Sequence, residues 1–173
     1  MAKVIFITGG ARSGKSRLAE AKAAEFGTPL CYLATGQAGD GEMAERIARH
    51  RARRGPEWQT LEEPLHLVEA IRGHDGYFGA MLLDCVTLWL SNLLFHHDDP
   101  GRATEEVRSL IAAFKGLKTP LVIVSNEVGM GIVPEHPLAR TFRDLAGEAN
   151  ELIAAAADEV YVTISGLPLK LKG

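Results

Sequence analysis

The stretch Gly9-Gly10-Ala11-Arg12-Ser13-Gly14-Lys15-Ser16 satisfies G-x-x-x-x-G-K-[ST] at every fixed position and follows directly on the apolar run Val4-Ile5-Phe6-Ile7. A buried strand that ends in such a loop must turn sharply, and glycine lets successive backbone N–H groups converge on phosphate oxygens with no Cβ in the way. In this Walker A pattern Lys15 reaches the β- and γ-phosphates and Ser16 offers its hydroxyl to Mg²⁺, while the helix beginning near Gly14 points its positive end at the anion. The bland alternative is a glycine-rich turn without a ligand. By chance the motif arises in fewer than roughly one chain in a hundred of this length and composition, even before its flanks are required. Gly9, Gly10, Ala11, Arg12, Ser13, Gly14, Lys15 and Ser16 are therefore read as nucleotide-binding residues.

Apolar runs at Lys3–Thr8, Leu30–Thr35, Ala80–Asp84, Leu121–Ser125 and Val160–Ser165 alternate with helical spacing at Lys15–Phe26, Gly41–Arg54, Leu65–Arg72, Val86–Phe95, Thr104–Leu117 and Leu138–Ala157. Strands that are apolar throughout must be covered on both sides, so the pattern predicts an α/β fold with a mostly parallel central sheet and helices on both faces. At 173 residues the expectation is one domain, residues 1–173. The segment His96–Arg102 is expected to be the clearest surface loop.

A net charge of -3, with 24% charged residues, argues against general nucleic-acid or membrane-surface binding, so any basic site must be local. No apolar run approaches the roughly 18 residues of a membrane span. The first strand leads straight into the phosphate loop and cannot be a cleaved signal without destroying it, so a cytoplasmic location is expected. Cys31 and Cys85 each lie inside an apolar run and read as buried hydrophobes in a reducing compartment.

Asp84 ends the run Ala80-Met81-Leu82-Leu83-Asp84, where a buried strand emerges. That is the form of a Walker B carboxylate, able to hold Mg²⁺ directly or through water, with a helix N-cap as the alternative. Five arginines, Arg46, Arg49, Arg51, Arg53 and Arg54, crowd around His50 in a chain of negative net charge. They describe a local site for a polyanion such as a triphosphate, and neighbouring cations favour the neutral, nucleophilic imidazole. Taken alone, the arginines fit a solvated helical face and His50 an ordinary surface histidine.

Together these residues resemble the bifunctional adenosylcobinamide kinase / adenosylcobinamide-phosphate guanylyltransferase family of cobalamin biosynthesis. The likeness extends through Tyr32-Leu33-Ala34-Thr35, Glu42-Met43, Arg46-Ile47 with His50, Trp58, Leu82-Leu83-Asp84-Cys85, Asn92-Leu93-Leu94-Phe95 and the particular run Ser125-Asn126-Glu127-Val128-Gly129-Met130-Gly131-Ile132-Val133-Pro134-Glu135. The resemblance implies a P-loop NTPase of RecA-like fold, a homotrimer and two activities. ATP or GTP would phosphorylate the aminopropanol hydroxyl of adenosylcobinamide. GMP from GTP would then pass to that phosphate through a guanylylated histidine, which on the matching position is His50. His66, His74, His96, His97 and His136 lie outside the motif.

Similarity further implies nucleotide contacts from Ala34, Thr35, Gly36, Arg51, Ala52, Arg53, Arg54, Glu62 and Asp84, with Ser16 and Asp84 as the metal pair. Glu62 suits guanine, because a carboxylate can accept both N1–H and N2–H, a donor pair that adenine lacks. It also fits an ordinary exposed glutamate. Asn126–Glu135 reads as a substrate-side or subunit-contact loop, with Glu127 as a possible base or outer metal partner and a structural turn as the alternative. Trp58 and Trp89 read as packing residues. Two other functions compete: a plain small-molecule kinase in which His50 never becomes covalent, and a nucleotide-gated module whose basic helix binds nucleic acid with steep salt dependence.

Overall fold

The computed structural model describes residues 1–36 and 54–173. Its elements in chain order are β1 (Val4–Gly9), α1 (Lys15–Ala24), β2 (Leu30–Ala34), β3 (Trp58–Glu62), α2 (Leu67–Gly73), β4 (Ala80–Asp84), α3 (Val86–His97), α4 (Pro100–Phe114), β5 (Leu121–Val124), α5 (Pro137–Ala156), β6 (Glu159–Ile164) and β7 (Leu167–Lys172). The helix expected over Gly41–Arg54 lies almost wholly outside the described residues.

One seven-stranded sheet runs in the order β3-β2-β4-β5-β1-β6-β7. Every neighbouring pair is parallel except β6 and β7. Successive side chains of a strand face opposite ways. In β1, Ile5 and Ile7 pack with Ala19 and Ala23 of α1, whereas Val4 and Phe6 join the larger layer of α2, α3, α4 and α5. Both faces are thus dry, and this is why β1, β2, β4 and β5 read as unbroken apolar runs.

The two edge strands departed from that pattern. β3 mixes exposed and half-buried positions, and all six residues of β7 are exposed. β7 is set by the turn that precedes it: Ser165 and Gly166 both have positive φ, 52° and 83°, the backbone of a two-residue hairpin. Lys172 then donates from Nζ to the carbonyls of Ala154 and Ala155 near the α5 C-terminus, at 3.1 and 2.8 Å. The expected loop at His96–Arg102 is corrected to two residues, Asp98 and Asp99. Asp98 ends α3 in the left-handed region, Asp99 accepts from the Gly101 amide at 2.9 Å, and Pro100 occupies the first turn of α4. A capped Asp-Pro start reads as a loop by composition but builds a helix.

Cys31 and Cys85 are buried and free, and burial pushes both thiols up to about 12. Trp89 is fully buried with its indole N–H donating to the Leu65 carbonyl, and Trp58 meets the Tyr32 ring edge-on, so both tryptophans pack. Among the described residues no helix is long and apolar enough to cross a membrane.

Candidate active site

The phosphate loop leaves the carboxyl end of β1 with a backbone only partly open to side chains. Gly9 has φ +152°, and a Cβ there would lie 2.5 Å from the Thr163 carbonyl oxygen. Gly14, at φ +97°, starts α1 without a side-chain cap and sits against Gly166. Lys15 is buried and donates from Nζ to the Gly10 carbonyl at 2.5 Å, folding its ammonium over the loop.

The β6–β7 hairpin holds this loop from outside. The Ser13 and Thr163 hydroxyls lie 2.7 Å apart, both buried, and the Gly166 amide donates to the Ser13 carbonyl at 3.0 Å. Nothing in the local sequence singles out Thr163. The Ser165-Gly166 turn was the available sign that the chain doubles back there. Thr163→Val is expected to loosen the loop by about 1 kcal/mol, read as roughly fivefold weaker nucleotide binding by titration calorimetry, with Thr163→Ser close to the parent.

Across the loop, Ser16 Oγ donates to Asp84 Oδ2 at 2.9 Å, and the Tyr32 hydroxyl donates to the same oxygen at 2.9 Å. Asp84 does not cap α3; Cys85 occupies that position, with no side-chain cap bond. The half-buried carboxylate therefore faces the phosphate loop, where the hard oxygens of Ser16 and Asp84 suit Mg²⁺. No group of three or more His, Cys, Asp or Glu that could hold a metal ion occurs among the described residues.

Thr35 is fully buried where β2 ends. Its hydroxyl accepts from the Cys85 amide and donates to the Cys85 carbonyl, both at 2.8 Å, while its own carbonyl accepts from Asn92 Nδ2 at 2.9 Å. These bonds fix Ala34, Thr35 and Gly36 at the same sheet edge as Asp84. Glu62 ends β3 in register with Ala34 and is exposed. The Arg54 guanidinium lies 3.5 Å from the Tyr32 ring centroid, and its Nη1 is buried with no hydrogen-bond partner among the described residues. His50, Arg51, Ala52 and Arg53 lie outside the described residues.

Glu127 is brought to the loop by its backbone, whose amide donates to the Gly9 carbonyl at 2.9 Å. Its Oε1 accepts from the Gly129 amide at 3.1 Å, a contact that closes a turn. The Asn126 amide and carbonyl are held by Thr87 and Asn150, so the segment leaves β5 from a fixed point.

A mostly parallel sheet covered on both faces, with a Walker A loop after β1 and a carboxylate emerging from β4 against the loop serine, defines a P-loop NTPase-like nucleotide-binding protein. A family profile described as cobinamide kinase / cobinamide phosphate guanyltransferase matches residues 5–171, and the chain belongs to that family. It is 50% identical over 167 residues to the bifunctional adenosylcobalamin biosynthesis protein CobP of Pseudomonas aeruginosa, covering 96% of each chain. Against the bifunctional adenosylcobalamin biosynthesis proteins CobU of Escherichia coli K12 and Salmonella typhimurium LT2 the identities are 47% and 45%, each over 98% of this chain and 99% of the relative.

Proposed function

We propose that this chain, acting as one domain over residues 1–173, phosphorylates adenosylcobinamide with ATP or GTP and then transfers GMP from GTP to the new phosphate. The products are adenosylcobinamide-GDP and pyrophosphate. The observation that carries this reading is the Ser16–Asp84 contact at an intact phosphate loop, in a chain so similar along its length to bifunctional relatives.

In the first reaction the loop amides and Lys15 hold the triphosphate while the substrate hydroxyl oxygen, losing its proton, attacks the γ-phosphorus, the bond from that phosphorus to the bridging oxygen breaks, and the nucleoside diphosphate leaves. Ser16 and Asp84 would hold Mg²⁺, which when bound neutralises charge on the phosphate oxygens. In the second, a neutral His50 nitrogen attacks the α-phosphorus of GTP, the bond to the β-phosphate oxygen breaks, and pyrophosphate departs. An oxygen of the substrate phosphate then displaces the imidazole, restoring free His50. Arg51, Arg53 and Arg54 would steady the triphosphate, with Ala34, Thr35, Gly36, Ala52 and Glu62 lining the guanine nucleotide.

The buried, protonated thiols support a reducing, cytoplasmic setting. The exposed Met130, Ile132 and Val133 are apolar surface of the kind that the neighbours in a homotrimer would cover.

The test is incubation with Mg²⁺ and GTP labelled at the α-phosphate, followed by denaturing electrophoresis. The parent protein is expected to retain acid-labile label and His50→Asn to retain none. Parent protein that binds GTP but stays unlabelled would reduce the reading to a plain kinase.

A further inference from the structure

We propose that Tyr32 is a positioning residue that ties the metal-binding carboxylate to Arg54, its hydroxyl aiming Asp84 and its ring carrying the guanidinium. This rests on the reading above, in which Asp84 serves the metal-bound nucleotide and Arg54 belongs to the guanylylation arm.

Sheet register places the residue for both contacts. Tyr32 of β2 pairs with Leu82 of β4, and Ala34 pairs with Asp84, so Tyr32 and Asp84 are diagonal neighbours on one face. The hydroxyl bridges that diagonal with its 2.9 Å bond to Oδ2. Among the described residues Oδ2 accepts from two side chains, Ser16 and Tyr32. When the Ser16 hydroxyl turns to a metal ion, Tyr32 is the donor that stays and keeps the carboxylate in place.

The ring acts differently. A carboxylate beside Arg54 would orient the guanidinium but neutralise it. The π-face of Tyr32, its centroid 3.5 Å from Arg54 Cζ, orients the planar cation without neutralising it, while Nη2 donates to Thr60 Oγ1 at 3.5 Å and Nη1 is left for an anion. Nη1, buried and without a hydrogen-bond partner among the described residues, is the expected sign of a donor awaiting such a ligand.

Tyr32→Phe removes the hydroxyl and keeps the ring, whereas Tyr32→Leu removes both. Two readouts separate them: the Mg²⁺ concentration that half-saturates binding of a fluorescent GTP analogue, and GMP capture on the denatured protein at saturating Mg²⁺. Tyr32→Phe is expected to raise the Mg²⁺ midpoint about fivefold to tenfold, with GMP capture near that of the parent. Tyr32→Leu is expected to show the same shift and to slow capture about tenfold further. Arg54→Lys, which leaves the core intact, is expected to reproduce the slower capture with the parent Mg²⁺ midpoint, whether or not the leucine variant folds. An unchanged midpoint in Tyr32→Phe overturns the hydroxyl role. Capture by Arg54→Lys equal to the parent overturns the ring role. Failure of the parent itself to capture GMP would instead strike the guanylylation reading, leaving the Mg²⁺ midpoint to judge the hydroxyl.

Discussion

Lys15→Ala is expected to lower the turnover of the kinase reaction by about 10²–10³-fold, or about 3–4 kcal/mol of transition-state stabilisation. The reason lies in where the ammonium sits. It is buried, it is held over the loop by the Gly10 carbonyl, and it is therefore aimed before the nucleotide arrives. A cation that needs no reorganisation at the moment of transfer contributes far more than one swinging in from solvent. Alanine leaves the loop backbone to bind phosphate through its amides, so nucleotide affinity should fall less than turnover. Single-turnover phosphoryl transfer with saturating nucleotide makes the comparison. Turnover within tenfold of the parent would remove Lys15 from its assigned role. On the proposed reading, in which one phosphate loop serves both reactions, GMP capture is expected to fall with it.

Gly9→Ala is expected to be the most damaging small change to the loop. The new methyl carbon would stand 2.5 Å from the Thr163 carbonyl oxygen, 2.6 Å from its hydroxyl and 2.8 Å from Ser13 Oγ, on a backbone at φ +152°. Two of the atoms it meets belong to the contact that braces the loop, and the third is β6 backbone with no room to yield. A cost of about 3 kcal/mol follows from strain and displacement together. In a chain of this size that is a fall of about 6–12 °C in melting temperature. Gly10→Ala is the matched control: nothing lies within 4 Å of its added carbon, so its melting temperature should stay near that of the parent and any loss should be confined to nucleotide binding. Equal melting temperatures for Gly9→Ala and Gly10→Ala would refute the bracing role given to Thr163.

The phosphate loop was readable because its chemistry is local: eight consecutive residues carry the glycines, the lysine and the serine. Asp84 was readable for a similar reason, as the one charged residue closing a buried apolar run. β3 and β7 were not. Trp58-Gln59-Thr60-Leu61-Glu62 and Leu167-Pro168-Leu169-Lys170-Leu171-Lys172 lack the unbroken apolar character of strands covered on both faces, because they are edge strands. The Asp-Pro-Gly start of α4 misled in the opposite direction, since the same residues that mark loops also cap helices. The role of Tyr32 was not legible in its motif, because its two contacts lie across the sheet and not along the chain.

What the sequence by itself determined is therefore the set of parts: a phosphate loop on a buried strand, a carboxylate at the end of another, a histidine among arginines, and faces assigned by periodicity. The tertiary structure decided who meets whom. β1 lies between β5 and β6, and β2 lies beside β4, so Thr163 reaches Ser13 across 150 residues of chain, Asp84 reaches Ser16 across 68, and Tyr32 reaches Asp84 across 52. Periodicity tells a side chain which face to take, but only strand order and register choose its neighbours, because those follow from how the two apolar layers close around the whole sheet.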